Sequence, residues 1–208
     1  MSDPREIELK SFEIIEGILK DKGLASPEKD VVVRVVHATA DPDFADGIVF
    51  SEGAVRAGVN ALRAGCGIVT DVSMLLAGIV GSLPDGPARV SCLVSDPDAA
   101  ALSRGNGITR SAAAMRKASS LGRLDGAIVA VGNAPTALYE VIRLIREEGI
   151  RPALVVGTPV GFVGAAEAKE ALLGLSGTPF ITNRGRKGGT PVAAAIINAL
   201  IRLSRSNL

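Results

Sequence analysis

Apolar positions fall along this chain in short runs separated by stretches of helical period. The runs are VVVRVV at 31–36, GIVT at 67–70, RVSCLVS at 89–95, GAIVAVG at 126–132, PALVVG at 152–157 and PFIT at 179–182. Each is four to seven residues long, the length of a buried strand, and most are rich in β-branched residues. Apolar residues near a 3.6-residue spacing predict helices over 4–21, 51–64, 109–121, 135–148, 163–173 and 190–205. In the first of these, Ile7, Phe12, Ile15, Ile18 and Leu19 make the apolar face. The segment VSMLLAGIV at 72–80 reads equally as helix or loop. Alternating strands and helices predict a three-layer α/β fold, a doubly wound and mainly parallel sheet with helices on both faces. No linker or fixed-period repeat divides the chain, so residues 1–208 are expected to form one domain.

The segments that follow the predicted strands differ from those that precede them. HATAD, TDVSM, SDPD, GNAPTA, GTPVGFVG and TNRGRKGGTP come after the six runs, whereas LDG and GIRP precede two of them. Polar, glycine-rich and charged residues therefore gather at the carboxyl ends, the edge where doubly wound sheets bind ligands.

Composition narrows what such an edge could hold. Hydrophobic residues are 47% of the chain but aromatics only 3%, so Ala, Val, Ile, Leu and Gly must build the interior. Twenty-three Lys and Arg against 22 acidic side chains leave a formal charge of +1, which gives no global basic field for nucleic acid. Cys66 and Cys92 lie in or beside apolar runs without metal-ligand spacing, as buried thiols of a reduced compartment do. No run approaches the ~20 apolar residues needed to cross a bilayer, and no signal-peptide pattern is evident. A cytoplasmic protein without membrane association is expected.

The common catalytic signatures do not occur. GNGITR breaks a dinucleotide fingerprint at Arg110, no phosphate-binding G-x-x-x-x-G-K-[ST] exists, and no nucleophile elbow G-x-S-x-G is present. His37 is the only histidine, which excludes His-rich metal sites. Its unperturbed pKa near 6.5 suits it to proton transfer, and it sits at a predicted strand end three residues after Arg34. On a regular strand those two side chains point to opposite faces, so one ligand reaches both only if the strand twists or ends between them. Arg184, Arg186 and Lys187 lie in a loop with three glycines just before a helix, an arrangement that holds carboxylates or phosphates or is simply a solvated turn. Thr109 and Arg110 open another helix, where a cation opposes the helix dipole and invites an anion or an ion pair. Asn133 and Pro135 stand at a strand-to-helix turn, where capping alone accounts for both. Glu167 complements its own helix dipole. From the residues alone the site handles protons beside a polyanionic ligand, which stays unidentified.

The segments RVVHATADPDF, TDVSMLLAGI, TRSAAAM, GNAPTAL, GTPVGFVGAAEAKE and GRKGGTPVAAAIINAL, in this order, resemble the precorrin-8X methylmutase family of cobalamin biosynthesis from about residue 11 to residue 200. The resemblance implies a flavodoxin-like homodimer with its active site near the dimer interface. It implies an isomerase that moves a methyl group between adjacent ring carbons, converting precorrin-8X or its cobalt form to hydrogenobyrinate or cobyrinate. It assigns the general acid to His37 and substrate holding to Arg34 and Ser11, with no cofactor and no metal. Ala38 departs from the threonine or serine expected after the histidine, which leaves Thr39 as the nearest polar contact. A tetrapyrrole substrate ringed by acetates and propionates gives Arg34, Arg110, Asn133, Arg184 and Arg186 groups to bind. The rival readings are a non-catalytic tetrapyrrole carrier and a nucleotide-binding module built on GRKGGT.

Overall fold

The computed structural model describes residues 3–81 and 90–206. In chain order the elements are α1 (Pro4–Leu19), α2 (Glu28–Thr39), α3 (Phe44–Gly47), β1 (Ile48–Phe50), α4 (Ala54–Arg63), β2 (Ile68–Thr70), α5 (Ser73–Val80) and β3 (Val90–Cys92). There follow α6 (Pro97–Asn106), α7 (Arg110–Ser120), β4 (Ile128–Val131), α8 (Pro135–Glu148), β5 (Leu154–Gly157), α9 (Ala165–Leu173), β6 (Phe180–Asn183) and α10 (Thr190–Arg205). The sheet runs β1-β6-β5-β4-β2-β3, parallel throughout except for β1. Its five parallel strands, counted from β2 in chain order, have the 2-1-3-4-5 arrangement of flavodoxin-like sheets.

Strand alternation builds two cores. Ile68, Ile128, Leu154, Val156 and Ile181 face a layer containing α2, α4, α5 and α10. Val69, Val129, Val131, Val155 and Phe180 face α7, α8 and α9. Both strand faces are buried, which is why the central strands read as continuous apolar runs. Gly157, at the end of β5, lets α8 and α9 close on the sheet, since a Cβ there would stand 2.7 Å from Leu172 and 2.9 Å from Leu138.

The first predicted strand is a helix. Residues 31–36 form the middle of α2, with Val31, Val32, Val35 and Val36 buried between α10 and its other neighbours. A short run that is apolar nearly all round fits a buried helix as well as a strand, and packing overrode the β preference of valine. The helical signs lay just upstream, in Pro27 followed by Glu28 and Asp30 in the first turn. The strand on this side of the sheet is instead β1, three residues paired antiparallel with β6 (Ile48↔Asn183, Phe50↔Ile181). It is too short to show alternation. α6 was also missed, because a helix with only Ala99 buried carries no apolar stripe, although Asp96 caps it by accepting from the Asp98 and Ala99 amides.

The four-residue α3 was not predicted either; the other elements lie within three residues of their predicted ends, and Arg89, where the third predicted strand began, lies outside the described residues. Residues 73–80 are helical, with Leu75 and Ile79 in the core, so among the described side chains Met74 is the one large apolar group this segment exposes. Such surface appears elsewhere. Ile15 and Leu19 anchor α1, but Ile7 and Ile18 of its predicted inner face are 59% and 47% exposed.

Candidate functional site

His37 ends a helix rather than a strand, which changes its relation to Arg34. Three residues apart on α2, the two side chains lie on one side, not on opposite faces. Facing them is α1. Ser11 Oγ lies 3.1 Å from His37 Nδ1, and the Phe12 ring stacks on the imidazole with centroids 4.7 Å apart and planes at 24°. The Arg34 guanidinium stands 5.3 Å from the centroid of the same ring, within cation–π range. Two helices thus bring serine, imidazole, phenyl and guanidinium into one cluster of contacts. His37 itself is exposed, and its Nε2 takes no hydrogen bond among the described residues.

Arg34 is half-buried, and its pKa is lowered first by burial and then by the nearby Arg202 of α10, with Glu8 and Asp30 opposing. Arg34 and Arg202 both line a cavity of about 280 Å³ with Phe12 and Val33. Glu16 and Asp30 line it too, so two carboxylates stand there with the two guanidinium groups.

Beyond His37 the chain turns through Ala40, whose φ of 52° is left-handed, into Asp41 and Asp43. Both carboxylates receive Lys187 Nζ, at 2.6 and 2.8 Å, which fastens the end of α2 to the β6–α10 loop. The Lys187 hydrogen bond is the main cause that holds the Asp41 carboxyl below its usual range. The Thr39 hydroxyl is engaged within the chain: it donates to the Val35 carbonyl at 2.8 Å and accepts from the Asp41 amide. Lys187 is therefore committed, and Arg184 is paired with Glu170 at 3.1 Å. Arg186 lies 5.8 Å over the ring of Phe162 and has no carboxylate partner among the described residues. Phe162 and Val163, in the β5–α9 loop, are 87% and 88% exposed, so cation and apolar surface stand side by side in water.

The switch point of the sheet, between β2 and β4, is filled from within. Asp71, wholly buried at the end of β2, accepts the amides of Gly132 (3.1 Å), Asn133 (2.9 Å) and Ala134 (2.8 Å). Those N–H groups would otherwise form an anion nest ahead of α8. Burial raises the Asp71 carboxyl against the opposing pull of these bonds. Asn133 is left exposed beyond it. Thr109 caps α7 by accepting from the Ala112 amide, and its hydroxyl meets Thr136 of α8 at 2.7 Å. Arg110 and Asn133 therefore flank one hydroxyl pair on the same edge, and Arg110 is exposed.

The structure thus joins Ser11, Arg34 and His37 around the Phe12 ring. It places Arg184 and Arg186 on a loop fastened to the same helix end, and sets Arg110 and Asn133 farther along the strand edge. Sequence reasoning missed Phe12 as a site residue, along with Asp71, Arg202 and Lys169. Lys169 had a visible sign: it lies on the buried stripe Ala165, Ala168, Leu172 of α9, where a cation is out of place. Among the described residues no helix is long and apolar enough to cross a membrane.

The family model for precorrin-8X methylmutase matches residues 6–203. The chain is 43% identical over 206 residues to the cobalt-precorrin-8 methylmutase of Leptospira interrogans, covering 96% of this chain and 94% of that one. It is 40% identical over 199 residues to the precorrin-8X methylmutase of Pseudomonas aeruginosa, covering 95% of each. Among solved structures, the precorrin-8X methylmutase of Thermus thermophilus superimposes with a TM-score of 0.88 at 43% identity, covering 96% of both chains.

Proposed function

The chain belongs to the precorrin-8X methylmutase family, and from that premise we propose that it converts precorrin-8X, or its cobalt form, to hydrogenobyrinate or cobyrinate, with His37 as general acid. It is an isomerase of cobalamin biosynthesis. One ring carbon loses its bond to a methyl group as the neighbouring carbon gains it, with no leaving group and no external nucleophile. The chain's part is to orient a flat polyanion and to place one proton.

The observation that carries this reading is the contact of Ser11 with His37 Nδ1. A hydroxyl on Nδ1 fixes the ring and leaves Nε2 as the nitrogen that lends its proton to the macrocycle during migration and takes one back as the product forms, so the isomerisation has no net proton uptake. Stacking on Phe12 restrains the ring plane as well. Arg34, one helical turn away, takes a substrate carboxylate in the cavity it shares with Arg202. Arg186, Arg184, Arg110 and Asn133 hold other acid arms around the ring, and Thr39 shapes the turn after the histidine.

We further propose that the whole chain acts as one domain, in the cytoplasm, as a two-fold homodimer whose partner covers the exposed side of α1. Ile7, Ser11, Ile14 and Ile18 share that side by their spacing, and the three isoleucines are exposed. Ser11 thus lies within the surface that a second copy would cover, and closed dimers are the commonest way to bury such a patch.

The test is incubation of purified protein with precorrin-8X and, separately, cobalt-precorrin-8, followed by absorbance. Conversion of either substrate supports the reading. Tight binding without conversion would show a tetrapyrrole carrier instead.

A further inference from the structure

Among the described residues Lys169 is the one buried lysine, at 1% exposure, and its ammonium forms no ion pair there. It donates instead to the Lys187 carbonyl at 2.5 Å and approaches Asn183 Oδ1 at 3.5 Å. Asn183 Nδ2 in turn donates to the carbonyls of Lys187 (2.7 Å) and Arg184 (3.2 Å). The Arg186 carbonyl takes the Gly161 amide, and the Gly189 amide reaches the Thr158 carbonyl. Each of the three basic residues of the β6–α10 loop therefore has its backbone carbonyl held, and among the described residues the one charged donor is Lys169, on the Lys187 carbonyl.

An unpaired ammonium inside a protein is costly, and a methionine would fill the same space without that cost. We propose that Lys169 is a positioning residue for substrate binding, whose ammonium holds the β6–α10 loop in the shape that directs Arg186 and its neighbours to the carboxylates of the tetrapyrrole. The proposal rests on the reading of that loop as a substrate arm.

Among the described residues none of the charged groups around Lys169 pairs with it. On its own helix Glu167 is exposed and Glu170 is bound by Arg184. On the adjoining α8, Glu140 is held by Arg116 and Arg143, while Arg146 reaches the Gly174 carbonyl. In the loop, Lys187 is bound by Asp41 and Asp43. Burial lowers the Lys169 pKa to about 8. The clamp therefore loses its charge in a range where the carboxylates of the ligand stay ionised.

Two opposite trends follow. Affinity for the tetrapyrrole falls as pH rises through about 8, because the charged donor is lost. Fold stability contributed by this group rises between pH 8 and the ordinary lysine range near 10.5, because there the unfolded chain binds the proton that the native one has released. A lysine with a purely structural role would produce the second trend without the first.

The experiment titrates hydrogenobyrinate into wild type, Lys169→Met and Arg186→Ala between pH 7 and 9.5, with steady-state kinetics at pH 7. Lys169→Met should weaken binding and raise KM about tenfold at pH 7, with kcat changed less than twofold and little pH dependence left in its affinity. The wild-type dissociation constant should climb toward that of the variant as pH passes 8. A wild-type constant that is flat from pH 7 to 9.5 overturns the proposal without any variant. If Arg186→Ala alone weakens binding, the loop holds substrate but Lys169 does not position it. If neither substitution changes affinity, the substrate-arm reading falls as well.

Discussion

Replacing Asp71 with Ala removes the acceptor of three backbone amides at once, those of Gly132, Asn133 and Ala134. The Gly132 amide is buried, whereas the other two bonds are partly accessible and water can replace part of them. A buried donor left unmade costs about 1–3 kcal/mol, with the lower end apt for groups that rehydrate. Relief of the buried carboxylate, whose pKa burial already raises, offsets part of this. The net loss is about 2–4 kcal/mol, or roughly 5–15 °C in Tm for a chain of this size. Asp71→Asn should lose a comparable amount, since its amide nitrogen turns donor against donor at one of the two oxygen positions. Urea unfolding followed by circular dichroism measures the change, with equal m-values required for the comparison. The pH dependence carries a sign of its own. A carboxyl with a raised native pKa binds its proton more tightly folded than unfolded, so this group's contribution falls as pH rises from the usual aspartate range through the native value. A loss below about 1 kcal/mol for Asp71→Ala would refute the account of this residue as the filler of the switch point.

Arg34→Ala should weaken hydrogenobyrinate binding by about 1.5–3 kcal/mol, the usual value of a charge-assisted contact, as read by absorbance titration. Arg186→Ala should cost more affinity than Arg184→Ala in the same assay, because Glu170 already occupies Arg184. Gly188→Ala puts a Cβ 2.5 Å from the Thr158 carbonyl oxygen and 2.9 Å from that of Pro159, at a φ of 148°, so the basic loop must shift. About 1–3 kcal/mol of stability and much of the ligand affinity should go together in thermal melts and titrations. Light scattering at micromolar concentration should report twice 21.3 kDa, and Ile14→Glu on the exposed side of α1 should return the mass to that of one chain.

The sheet was legible in the sequence wherever both strand faces are buried, because β4 and β5 then become uninterrupted apolar runs and β2 and β6 turn polar only toward their carboxyl ends. The same logic failed for α2. Its valines are buried on several sides, so its pattern has no period to read, and only the residues before it marked a helix. That one error misplaced His37 in the fold, and spacing along a helix joins it to Arg34 more directly than a strand would. The basic loop was found as a cluster of charge, but which of its cations is already spent depends on Asp41, Asp43 and Glu170, partners between 14 and 146 residues away. Phe12 was read as an ordinary core residue of α1. Its second use, as the ring on which His37 and Arg34 both rest, arises only from the packing of two helices.

The central claim is that the imidazole held by Ser11 and Phe12 delivers the proton that accompanies methyl migration. Single-turnover conversion of precorrin-8X by wild type and His37→Ala, with binding measured separately by titration of hydrogenobyrinate, tests it most directly. The account predicts a rate lower by about 10²–10⁴ in the variant, the usual contribution of a general acid, at a dissociation constant within a few-fold of wild type. A His37→Ala protein that converts bound substrate at more than half the wild-type rate would contradict it.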